Sequence, residues 1–251
     1  MYKFIVFCAG LLLPLSAYSE PLTTVNYYVI KKQAVPFQIE NGDSHSGIVT
    51  DIVHAVFKDS PYTLAYHAYP FNRMISVLEN GGEANWITYG SPAWGGVQAA
   101  NLSSQPIYTV KHALLSRQGS TLSFNTMQDL QDKVVVLLHG FSYPELMPYI
   151  EDGTIDELRV KDYAAAIRVI NRSPDDTTFV EMASRIKYHL KKGQHPSTEY
   201  NLTSFSQVIP DYSIYLAFDP DMDSNIQDFI NHRLATLHDA GDIAAIIEQY
   251  N

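Results

Sequence analysis

The chain contains one cysteine, Cys8, and it lies inside the first apolar run. Beyond that run there is no disulfide, no thiolate nucleophile and no cysteine-held metal. Basic residues are scarce as well. Lysine and arginine number 17 against 27 aspartates and glutamates, a formal net charge of −10. That balance argues against nucleic acid or an anionic membrane as a partner, since both reward a basic surface. After the N-terminus no apolar run approaches the roughly 20 residues of a membrane-spanning helix. Catalytic and cofactor signatures are missing too. The nine histidines supply no HExxH or comparable ligand pair, so no metal is expected. No P-loop or dinucleotide fingerprint is present, and no cofactor is expected. Gly140-Phe141-Ser142 begins like a nucleophile elbow, but Pro144 stands where the second glycine belongs. These absences favour a binding protein over an enzyme.

What is present begins with Lys3, an apolar run over 4–15 and the small residues Ser16-Ala17-Tyr18-Ser19. A basic start, an apolar middle and a small-x-small site read as a secretory signal peptide over 1–19. The rest is then exported, and periplasmic. Its length suits one large domain or two lobes of about 100 residues each.

The most informative stretch is 69–97, YPFNRMISVLENGGEANWITYGSPAWGGV. Proline biases the residue before it towards extended geometry, so Tyr69-Pro70-Phe71 closes a strand. Met74, Ile75 and Leu78 then mark one apolar face of a helix over 72–80, with Asn72 as its N-cap. Gly81-Gly82 stops that helix. Trp86-Ile87-Thr88-Tyr89 is a short strand opening into a loop of small residues with Trp94. A βαβ unit of this kind delivers its loop to the carboxyl edge of a parallel sheet, where open α/β sheets bind ligands. Taken singly, Phe71, Trp86 and Tyr89 read equally well as core aromatics.

Elsewhere, strands are expected over 25–32, 62–69, 108–116, 134–138, 177–181, 206–209 and 212–217. Helices are expected over 48–57, 145–151, 163–171, 182–192, 225–237 and 243–250. The run Val134-Val135-Val136-Leu137-Leu138 fits a strand covered on both faces. Ser142, after Gly140-Phe141, is placed at a helix N-terminus whose free N–H groups could hold an anion; the plainer reading is a cap. Glu181, at the carboxyl end of its strand, suits a crevice better than a core. His189 is expected on a solvated surface.

In this order and spacing, several pieces resemble the periplasmic solute-binding proteins of ABC importers, in the branch of polar amino-acid binders. They are Pro36-Phe37, the 47–57 helix, the Phe71–Leu78 helix with Gly81 and Gly82, and Ser104-Gln105-Pro106-Ile107-Tyr108. Further pieces are 129–134, Gly140, Phe179-Val180-Glu181 before a helix with Tyr188, and 238–243 with Tyr250. The resemblance implies an α/β, two-lobed, type II-like binding fold, each lobe a mostly parallel sheet flanked by helices. Lobe 1 would be 20–111 plus 212–251 and lobe 2 would be 112–211, hinged where the chain crosses. It also implies a small-molecule ligand, a membrane permease as partner, and a monomer. By the same resemblance Phe71 stacks on the ligand, and Thr88, Tyr89 and Ser91 form a polar binding loop. Leu138, Gly140, Phe141 and Ser142 face it from lobe 2, and Glu181 holds an amino group.

The family's carboxylate-clamping arginine has no counterpart, because no arginine occurs between Arg73 and Arg117. Arg73 is the nearest substitute in sequence; alternatively it pairs with Glu79 on the surface. Glu181 beside Phe71, Tyr89, Trp94 and Phe141 points to a small polar or cationic solute. Two alternatives remain on sequence: a dehydratase or lyase on the same scaffold with Glu181 as acid or base, and a sensory binding protein without a transporter.

Overall fold

The computed structural model describes residues 23–32, 34–42 and 44–250; the expected signal peptide lies outside them. The chain opens with β1 (Thr23–Ile30), the short hairpin β2 (Ile39–Asn41) and β3 (Ser44–Ser46), and α1 (Ile48–Phe57). Next come β4 (Tyr62–Tyr69), α2 (Phe71–Glu79), β5 (Trp86–Gly90), α3 (Val97–Ala100) and β6 (Tyr108–Val110). A second group follows: β7 (His112–Arg117), β8 (Lys133–Leu138), α4 (Met147–Glu151), β9 (Ile155–Val160), α5 (Tyr163–Arg172), β10 (Thr177–Met182), α6 (Ala183–Lys192) and β11 (Tyr200–Ser204). The chain then returns through β12 (Tyr212–Phe218) and ends in α7 (Ser224–Asp239) and α8 (Asp242–Glu248).

Two five-stranded sheets result, in the orders β4-β1-β5-β12-β6 and β11-β7-β10-β8-β9. Each is evenly mixed rather than mostly parallel. In the first, β1 runs parallel to β4 and β5 while β12 is antiparallel to β5 and β6. In the second, β8 runs parallel to β9 and β10 while β7 is antiparallel to β10 and β11. The reason is connectivity. Strands β7 and β12 enter their sheets from the opposite lobe, so they run against the strands whose carboxyl ends face it.

Periodicity accounts for the cores. On α1, Ile48, Val49, Ile52, Val53, Val56 and Phe57 are buried against the first sheet. On β8 the alternation splits the run, Val136 and Leu138 packing on one face and Val135 and Leu137 on the other. That strand is covered on both sides, as its composition predicts. Glycine ends α2: Gly81 and Gly82 have positive φ, and their N–H groups donate to Leu78 and Val77 carbonyls at 3.0 Å.

Four local expectations fail. Helix α2 starts at Phe71 with Pro70 in the N-cap position, so Asn72 lies in the first turn; the fixed φ of proline suits a helix start. The strand expected over 108–116 breaks at Lys111 into β6 and β7, which belong to different sheets. Residues 206–209 form a turn, with the Val208 and Ile209 N–H groups both donating to the Phe205 carbonyl at 3.0 Å. The strand there is instead the polar β11, an edge strand with weak alternation. Lastly, α4 begins only at Met147, so Ser142 sits in a loop and caps no helix.

Candidate functional site: a cleft at the carboxyl edges of both sheets

Strands β1, β5, β8 and β10 all end towards the gap between the sheets, and a cleft of about 760 Å³ opens there. From lobe 1 it is lined by the α2 face bearing Phe71, Asn72, Ile75, Ser76 and Glu79. Tyr89 at the end of β5 and the loop carrying Trp94 through Gln98 complete that side. From lobe 2 come the turn His139-Gly140-Phe141-Ser142 and Arg185.

Three aromatics on this wall stay open to solvent: Phe71 is 40% exposed, Trp94 39% and Phe141 36%. Large apolar side chains left uncovered on facing walls are an unfinished contact surface. Trp94 is held in place edge-on by Tyr89, 5.7 Å between ring centroids, and by Tyr212 at 6.1 Å. The Gln98 side-chain amide donates to the Tyr89 carbonyl at 2.7 Å, tying the loop back onto β5. Burial pushes the Tyr89 hydroxyl up to about 12, so it stays protonated.

Of the residues expected from sequence, Phe71, Tyr89, Trp94, Gly140, Phe141 and Ser142 line the cleft. Five do not. Thr88 is buried in the first core, donating to the Tyr28 carbonyl at 3.1 Å. Ser91 donates to the Ser213 carbonyl at 2.8 Å, which fixes the crossing strand. Leu138 is part of the second core, and its N–H donates to the Tyr143 hydroxyl at 3.3 Å. Arg73 lies exposed with its guanidinium 5.2 Å from the Tyr69 ring centre, outside the lining. Glu181 is 2% exposed and sits behind the wall.

The buried charged group at the wall is Arg185, four residues after Glu181. It occupies the first turn of α6, whose start is pinned by the Ala183 N–H donating to the Lys111 carbonyl at 2.8 Å. Its guanidinium lies 5.3 Å from the Phe141 ring centre and 6.0 Å from that of Phe37, a residue of lobe 1. Arg185 is therefore in contact with both lobes, although it is only 7% exposed. Burial works against its charge, and the neighbouring Glu181, with Tyr163 and Tyr89, more than offsets that, so its pKa is held up. Glu181 in turn accepts from the Met182 N–H at 2.8 Å and the Tyr163 hydroxyl at 3.2 Å. Burial pushes the Glu181 carboxyl above the usual carboxylate range, while Arg185 and these two donors pull the other way.

Sequence reading missed Arg185, yet a signal existed. A cation in the first turn of a helix opposes the macrodipole and calls for a negative neighbour. The Glu181–Arg185 spacing supplies one.

His189, one turn further along α6, stacks on the Tyr163 ring with centroids 3.6 Å apart and planes 10° from parallel. It is half-buried rather than solvated. Burial, then Lys192 and Arg185, lower its pKa to about 4. A histidine depressed in the folded state binds fewer protons there than in the unfolded chain. Its contribution is therefore present above the ordinary histidine range and is lost as pH falls from about 6.5 towards 4. Denaturant unfolding at pH 7 and pH 4.5 should show His189→Phe losing less stability over that interval than the parent. An unchanged difference would show that His189 is not the group responsible.

A cleft at the carboxyl edges of two sheets, between lobes joined by crossing strands, defines a two-lobed α/β fold. Comparison with solved structures gives the same fold. The second substrate binding domain of a Streptococcus pneumoniae Canada MDR_19A protein assigned as an amino acid ABC transporter matches at 18% identity and TM-score 0.68, covering 91% of this chain and 99% of that one. Substrate binding domain 2 of Lactococcus lactis GlnP, in its open conformation, matches at 16% identity and TM-score 0.61, covering 92% and 96%. The periplasmic VFT2 domain of Bordetella pertussis BvgS matches at 14% identity and TM-score 0.62, covering 91% and 93%. No protein-family model and no curated protein sequence matches the chain. Among the described residues no helix is long and apolar enough to cross a membrane.

Proposed function

We propose that this chain is an exported solute-binding protein that captures a small organic solute between its lobes and hands it to a membrane permease of an ABC importer. It acts as a monomer, without cofactor or catalysis. The observation that carries this reading is the set of three solvent-open aromatics that line one cleft, Phe71 and Trp94 from lobe 1 and Phe141 from lobe 2. Two of the solved structures sharing the fold are described as a substrate binding domain and a substrate binding protein of amino acid ABC transporters, which supports the same reading. An acid–base role for Glu181 is disfavoured, because the carboxyl lies behind the wall against Arg185 and Tyr163.

A thermal-shift panel of amino acids, organic acids, amines and sugars tests it: at least one class should raise the melting temperature. Phe71→Ala and Trp94→Ala should each weaken the affinity for that solute by about 3- to 10-fold, the worth of one aromatic contact. Undiminished affinity in both variants would place the binding site elsewhere. The lobes joined at 111 and between β11 and β12 should also close. Small-angle scattering should then give a smaller radius of gyration with saturating solute than without it, and identical profiles would mean rigid lobes.

A further inference from the structure

Resting on that reading, we propose that Arg185 sets the solute class: the cleft takes a small organic acid, its anionic head on the Arg185 guanidinium and its body among Phe71, Trp94 and Phe141.

The polarity of the wall leads there. Two charged side chains line the cleft, Glu79 and Arg185, and Glu181 stands beside Arg185. Glu181 is behind the wall and does not line it. Glu79 lines it but lies exposed at the end of α2, where water screens its charge. Arg185 lines it from a position almost closed to solvent, where a charge acts through a lower effective dielectric and counts for more. An arriving solute therefore meets the Arg185 guanidinium at depth, with the Glu181 carboxyl behind it out of reach, and a lining carboxylate only at the rim.

Geometry narrows the class further. Rings of Phe141 and Phe37 lie near the guanidinium and restrict its orientation. Arginine presents its donors in a fixed plane, and that fork fits a carboxylate or similar oxyanion bidentately. An amine without an acid group would bring like charge to the least screened part of the site. The body of the solute meets apolar rings, so the acid carries carbon rather than being an inorganic ion.

Matched pairs of probes with one body and opposite charge decide the matter. Phenylacetate with phenethylamine, indole-3-acetate with tryptamine, and glutarate with cadaverine are titrated into the parent protein by thermal shift and calorimetry. At least one acid should bind and its amine partner should not. Arg185→Ala should weaken that acid by about 10-fold or more, as expected for a hydrogen bond to a charged group, and Arg185→Lys should recover part of the loss. If Arg185→Ala does not fold, the parent's preference between members of each pair is the deciding result. Amines binding as well as acids, or an acid binding Arg185→Ala undiminished, would overturn the role of Arg185. Binding confined to amines or sugars would overturn it while leaving the solute-binding function standing. Silence of every acid, amine and sugar would remove both.

Discussion

Glu181→Leu should destabilise the protein by about 3–5 kcal/mol, the cost of removing one of two buried charged groups that support each other electrostatically. Arg185 is buried like Glu181, though it reaches the cleft wall, and the Glu181 charge is the largest influence holding its pKa up. The same substitution strands the Tyr163 hydroxyl and the Met182 N–H, which both donate to that carboxyl. Burial, then the Glu181 charge, raise the Tyr163 pKa, so the hydroxyl keeps its proton and needs an acceptor. Glu181→Gln keeps an acceptor and removes the charge, so it separates the two contributions. Urea unfolding at pH 7 should rank the parent above Glu181→Gln and Glu181→Gln above Glu181→Leu. The double variant Glu181→Leu/Arg185→Met should regain much of the loss, because well-packed apolar groups often replace a buried pair at little cost. A Glu181→Leu protein within about 1 kcal/mol of the parent, below the range for breaking such a pair, would show that Arg185 does not depend on it.

Gly90→Val is expected to be damaging as well, by a steric route. A Cβ added at Gly90 would lie 1.8 Å from the Gln98 carbonyl oxygen and 2.8 Å from its carbon. Both are backbone atoms, so no side-chain rotation relieves the clash. Overpacking of a core typically costs about 1–3 kcal/mol, and a backbone obstacle belongs at the top of that range or beyond it. What must give way is α3, which directly follows the loop carrying Trp94 to the cleft wall. Any Gly90→Val protein that still folds should bind its solute poorly, as read by calorimetry beside circular dichroism. Gly140→Ala is the contrast. Its added Cβ would meet nothing within 4 Å, and only the φ of 82° opposes it, for a cost of about 1 kcal/mol. Parent-like stability and affinity in Gly90→Val would mean the loop is not packed against β5 as described.

Much of this architecture could be read from sequence because local patterns were strong. The apolar positions of α1 repeat with helical spacing, and its predicted end at Phe57 is the observed one. The β8 run could hardly be anything but a buried strand. Patterns failed where a tertiary partner decided the outcome. Nothing between Tyr108 and Ser116 marks Lys111 as the point where the chain leaves one sheet for another. Strand β11 is polar and exists because β7 offers it an edge.

At the site, aromatics and glycines in loops gave themselves away, whereas Thr88, Ser91 and Leu138 have side chains directed into packing rather than the cleft. Arg73 and Arg185 show the limit most clearly. Both are arginines in the first turn of a helix, and the first was chosen for its nearness to Phe71. Only the fold, by setting β10 beside the crossing at Lys111, brings the second to the wall.

That double crossing bears on how the polypeptide is made. Every strand of the second sheet, β7 to β11, is translated before β12, and β12 lies between β5 and β6 in the first sheet. Leu216, Ala217 and Phe218 are wholly buried there, and Ile226, Ile230 and Leu234 of α7 cover the same core. As the chain emerges from its N-terminal side, the later-starting lobe therefore has all its strands first, while the earlier-starting one waits, its centre unpaired, for the roughly 40 residues from Tyr212 onward. A stop codon placed just before Tyr212 would cost the chain the lobe that was synthesised first.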